Sequence, residues 1–148
     1  MCRNRPSEDN AANPIQPWRD KTMQLLSHTD LGPHDADTGV LQLSNDAELH
    51  DLPLDGVHRI ELQFPKFSDG RAFSQAVTLR RRLGFKGELR ATGDVLVDQL
   101  VQMHRSGFDS AVLRADQDPA VALRQFNRYS GFYQGDLHTN TPRFRRSA

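Results

Sequence analysis

Cysteine is almost missing from this sequence: Cys2 is the only one among 148 residues. A single thiol excludes an internal disulfide, a thiolate metal cage and a dithiol redox pair, and it fits a reducing compartment. Long apolar runs are missing too. No stretch approaches the roughly 18 consecutive apolar residues of a membrane span. The first 30 residues mix charges, Asn, Pro and Gln without the apolar core of about 7–15 residues that a secretory signal requires. The expectation is a cytoplasmic chain with no membrane association. Net charge is also lacking, with 19 basic residues against 19 acidic ones, so no whole-molecule field draws the protein toward nucleic acid. Lysine is scarce. Lys21, Lys66 and Lys86 stand against 16 arginines, a balance that favours guanidinium pairing with carboxylate, phosphate or sulfur oxyanions, and that a GC-rich genome would also produce.

What is present reads as one α/β domain over residues 18–133 between two flexible tails, a polar one over 1–17 and a basic one over 134–148. Trp18 to Leu26 and Val40 to Leu43 each supply a short strand, and Asp46 to Leu54 a short helical turn closed by Pro53. From Arg59 the pattern becomes regular. A strand over 59–64, a helix over 69–83 stopped by Gly84, a strand over 87–91, a helix over 95–105 ahead of Gly107, and a strand over 110–114 follow one another. Asp118-Pro119 then opens a third helix running to about Tyr129, an N-cap followed by proline at the first helical position. Alternating strands and helices imply parallel pairing with right-handed crossovers.

Each strand is apolar on one side only. Ile60, Leu62 and Phe64 oppose Arg59, Glu61 and Gln63; Leu89 and Ala91 oppose Glu88 and Arg90; Ala111 and Leu113 oppose Val112 and Arg114. Parallel strands covered on both faces read as continuous apolar runs, so helices are expected mainly on one face, in a half-barrel-like sheet. The polar face then needs internal ion pairs, the N-terminal segment or a second chain to satisfy it. This last option leaves a homo-oligomer open.

In parallel sheets the loops after the strands form the binding rim. Here they read Phe64-Pro65-Lys66-Phe67-Ser68-Asp69-Gly70-Arg71, Arg90-Ala91-Thr92-Gly93-Asp94 and Arg114-Ala115-Asp116-Gln117-Asp118. Asp69, Arg71, Arg90, Asp94 and Arg114 are therefore candidates for binding an anion or a partner, and Glu61 and Glu88 for a role on the polar face. The same aspartates equally serve as helix caps paired with the arginines. Neither Gly70 nor Gly93 lies in a GxGxxG or GxxxxGK(S/T) pattern, so no nucleotide loop is expected. Arg80 and His104 fall inside the apolar arcs of their helices. Arg80 either reaches Glu61 or Glu88 or snorkels to the core edge, and His104 reads as a buried, hydrogen-bonded ring, since no other histidine shows ligand spacing to it. No metal site is expected. Tyr129, Phe132 and Tyr133 close the core or, beside the basic tail, form a partner surface.

The runs Phe64–Ala76, Leu79–Leu100 and Met103–Asp109 resemble an uncharacterised bacterial family encoded beside the sirohaem-dependent assimilatory sulfite reductase and labelled probable oxidoreductase in sulfite reduction. The resemblance spans roughly Val40 to Phe132 and takes in Asp69, Arg71, Ser74, Glu88, Arg90, Asp94, Asp98 and Gln99. Many members carry cysteine where this chain has Ser106, which removes a thiol mechanism at that position. No flavin, nicotinamide, haem or iron-sulfur motif is visible, so no cofactor is expected. The resemblance implies an accessory protein of sulfite reduction that acts with the reductase or its electron donor. Two other readings stand beside it. One is a small enzyme holding an anionic substrate on its rim arginines, with Asp69 or Asp94 moving a proton; the other is an oligomerising scaffold.

Overall fold

The structure, a computed structural model, describes residues 23–29, 39–129 and 131–146. The tail expected over 1–17 and the opening of the strand expected from Trp18 lie outside the described residues. Five strands form one parallel sheet: β1 (Gln24–Leu26), β2 (Val40–Leu43), β3 (Arg59–Phe64), β4 (Glu88–Gly93) and β5 (Ser110–Val112). Their order is β1-β5-β4-β3-β2, and the sheet stays open rather than closing into a barrel. Helix α1 (Arg71–Arg81) joins β3 to β4, α2 (Leu100–Arg105) joins β4 to β5 after a 3-10 turn at Val97–Gln99, and α3 (Pro119–Phe126) follows β5.

The period-2 alternation of the strands decides where the helices go. Ile60, Leu62, Phe64, Leu89, Ala91, Ala111 and Leu113 share one core with Ala72, Ala76 and Leu79 of α1, Leu100 and Met103 of α2, and Ala122 of α3. The successive crossovers β3-α1-β4-α2-β5 advance one way across the sheet, which places right-handed connections on a single face. Phe64, Phe73 and Phe108 meet edge-on or tilted at 5.1–6.5 Å at the centre of this layer. Phe64 and Phe108, fully buried, each contribute about 1.5–3 kcal/mol of burial.

Four sequence expectations need correction. Residues 46–54 form turns, not a helical turn, because Leu49, Leu52 and Leu54 drop onto the core at a spacing that does not follow a helix face. Helix α1 starts two residues later than expected, with Gly70 at its N-cap and no side-chain cap. Asp94 does not cap a helix: Gly93, at φ +93°, turns the chain, Leu96 remains extended, and helical structure begins at Val97. The basic segment from Gln134, expected as a flexible tail, instead returns to α2. Leu137 is 4% exposed, its N–H donates to the Arg105 carbonyl, and Asp136 pairs with the Arg105 guanidinium at 2.9 Å.

Two of the other local expectations hold. Asp118 accepts the Ala120 N–H at 2.8 Å and Pro119 occupies the first turn of α3. Gly84, at φ +65°, follows the end of α1 as a helix-stopping glycine should.

Candidate functional site

The polar face is built by register. Pairing sets Gln42 of β2, Glu61 of β3, Arg90 of β4, Ser110 of β5 and Gln24 of β1 side by side, one residue per strand across the whole sheet. Glu61, 3% exposed, takes a hydrogen bond from Gln42 Nε2 at 3.3 Å and faces Arg59 Nε at 3.2 Å and Arg90 Nη1 at 3.8 Å. Arg90 also donates to Glu88 through Nη2 at 2.9 Å, and the Ser110 hydroxyl donates to the same carboxylate oxygen. Burial raises the Glu88 pKa, but the hydrogen bonds from Ser110 and Arg90 outweigh it and hold the carboxyl below its ordinary value. Of the three ways to satisfy this face, internal ion pairing is realised among the described residues.

The rim above it consists of two ion-pair groups. In the first loop Arg71 Nη2 binds Asp69 Oδ2 at 2.8 Å, and Asn45 Nδ2 donates to the same oxygen at 2.6 Å. The Arg71 guanidinium, followed by the Arg71 backbone N–H, lowers the Asp69 pKa to about 2. In the second group Arg114 bridges Asp94 at 2.7 Å and Asp116 at 2.5 Å. Its hydrogen bonds bring Asp116 to about 2 and lower Asp94 as well. Asp94 ties the loops together by accepting the Phe67 N–H at 2.9 Å, while Gln99 Nε2 donates to the Phe67 carbonyl.

The candidates therefore separate. Asp69 pairs with Arg71 and Asp94 with Arg114 on the rim, whereas Arg90 is engaged below them on the sheet face with Glu61 and Glu88. A cleft of about 550 Å³ opens at the carboxyl ends of the strands, lined among others by His28, Gln42, Ser44, Glu61, Gln63 and Thr92 and by neither rim pair. Gln42, Asn45 and Ser110 were not marked by the sequence: Gln42 sits in a four-residue strand, Asn45 in the turn after it, and Ser110, although on the side of Val112 and Arg114, carries no charge to single it out. The signal for Asp116 was its position two residues after Arg114 in a rim loop.

Residues 40–144 match a bacterial protein family of unknown function, DUF934. The chain belongs to that family. No curated protein and no solved structure matches it. The DUF934 region takes in both rim groups, four of the five polar-row residues and the returning segment around Leu137, and leaves β1 outside. Among the described residues, no group of three or more His, Cys, Asp or Glu side chains is arranged to hold a metal ion, and no helix is long and apolar enough to cross a membrane.

Proposed function

We propose that this DUF934 protein is a cytoplasmic accessory protein of assimilatory sulfite reduction that works by binding sulfite reductase or its electron donor. The resemblance of Phe64–Ala76, Leu79–Leu100 and Met103–Asp109 to the family encoded beside the reductase supplies the pathway. The observation that carries binding over turnover is the neutralisation of the rim and of the sheet face beneath it. Arg71, Arg90 and Arg114 each already engage a carboxylate of this chain, so an incoming sulfite would have to displace Asp69, Glu88 or Asp94. Asp69, held near a pKa of about 2, has no proton to give at neutral pH. A second reading, a small enzyme such as the oxidoreductase that the family label names, rests on the cleft at the strand ends, where α/β enzymes place their ligands.

A deletion strain tests the proposal. Loss of the gene should slow growth on sulfate or sulfite and spare growth on sulfide, and the full chain should retain sulfite reductase or its electron donor in a pull-down. Equal growth on all three sulfur sources would overturn the pathway assignment. A thermal shift with sulfite, sulfate or phosphate that disappears in Arg90→Ala would favour the enzyme.

A further inference from the structure

Beyond α3 the chain displays exposed aromatic rings and arginines. Tyr129, Tyr133 and Phe144 are 61%, 63% and 61% exposed. They fall in two pairs: the Tyr129 ring lies 6.5 Å from Phe132, the Tyr133 ring lies 5.7 Å from Phe144, and the Arg143 N–H donates to the Tyr133 carbonyl at 2.9 Å. That last bond holds the 3-10 turn Arg143–Arg145 against the chain at Tyr133; Arg145 lies over the Phe144 ring at 5.8 Å, and Arg143 and Arg146 flank it in sequence. Arg105 anchors the base by stacking on Phe132 at 4.1 Å and donating to the Gln134 carbonyl.

The charge here is unanswered. Among the described residues Arg143, Arg145 and Arg146 form no ion pair, whereas Arg59, Arg71, Arg90, Arg105 and Arg114 all do. We propose that this arginine–aromatic surface is the docking face for an acidic surface of a protein partner. It rests on the accessory-binding reading and gives that reading a location.

Two physical arguments select an acidic protein. Arginine and aromatic side chains are the residues that concentrate binding energy at protein interfaces, and three unpaired guanidiniums need carboxylates when desolvated. Single-stranded nucleic acid would instead require open ring faces on which bases stack. Here Phe132 is already covered by the Arg105 guanidinium at 4.1 Å, and a chain with 19 basic and 19 acidic residues has no net field to attract a polyanion. Carboxylates can approach the guanidinium edges without displacing this stacking.

The test compares the full chain with two variants, one combining Arg143→Gln, Arg145→Gln and Arg146→Gln, the other Tyr133→Ala with Phe144→Ala. All five positions are exposed, and unfolding curves check that both variants keep the wild-type fold. Binding is measured at low salt to sulfite reductase, to its electron donor, to poly-L-glutamate and to single-stranded DNA of equal length. Wild-type binding to the reductase or the donor should weaken at least about tenfold in each variant and fall with added salt. Unchanged binding in both variants overturns the docking face and leaves the accessory reading standing. If the wild type binds neither protein but holds poly-L-glutamate through the three arginines, the accessory reading fails and the acidic-docking face stands. Tighter binding to DNA than to poly-L-glutamate overturns the proposal in favour of nucleic acid.

Discussion

Arg80 and Asp109 form an ion pair across the core-facing layer, 29 residues apart in sequence, with the Arg80 side chain fully buried. Arg80 also donates to the carbonyls of Phe85 and Gly87 at 2.8 Å and of Gly107 at 3.0 Å, and Asp109 accepts the Leu89 N–H at 3.0 Å. One guanidinium thus fastens the end of α1 to the turns entering β4 and β5. Gly107, at φ +103°, is required beside it, since a Cβ there would sit 2.8 Å from Arg80 Cγ.

Arg80→Ala should destabilise the protein by about 3–5 kcal/mol, because it strands a partly buried carboxylate and three carbonyls together. Urea unfolding measures this, and a loss under about 1 kcal/mol would mean that the pair contributes little.

Arg71→Ala should leave the melting temperature essentially unchanged, as its pair with Asp69 is exposed and strongly screened. Arg90→Ala should cost about 3 kcal/mol, since Glu61 is almost wholly buried beside it. Complementation of the deletion strain, measured alongside melting, separates function from folding. A folded Arg71→Ala protein with full activity removes Arg71 from any binding role.

Acid should take a small part of the protein's stability in a defined window, since both carboxylates involved are exposed and their pairs are screened. The folded pKa of Asp69 and of Asp116 is about 2 against the ordinary 3.8, so the unfolded chain binds protons first. Their contribution is complete above roughly pH 5 and is lost as pH falls from about 4 toward 2. Asp69→Asn should flatten part of that slope in pH-dependent unfolding, and an unchanged slope would count against the Asp69–Arg71 pair in solution.

Truncation after Tyr133 should lower stability by about 2–3 kcal/mol by uncovering the site of Leu137 and removing the partner of Arg105. Thermal unfolding of the shortened chain checks this; an unchanged midpoint would return the segment to the status of a tail.

The β-α alternation, parallel pairing and one-sided helix layer were legible in the residues themselves. The faces of β3 and β4 repeat every two residues, and Asp118-Pro119 carries a local cap. Both are short-range preferences of the backbone, visible without knowledge of any distant contact. The rim pairs Asp69–Arg71 and Arg114–Asp116 are of the same kind, two residues apart.

Tertiary structure decided the rest. The sequence placed Arg80 against Glu61 or Glu88 or at the core edge, yet it binds Asp109, because the register of β4 and β5 brings the turn at Gly107 over the end of α1. Only the sheet order brings Gln24 beside Ser110 across 86 positions, completing a polar row that no local pattern marks. Arg105 draws Asp136 and Leu137 back onto α2 through the same kind of contact. Periodicity reports which face a residue takes, whereas partners distant in sequence are selected by strand register and side-chain reach, and these exist only once the sheet has formed.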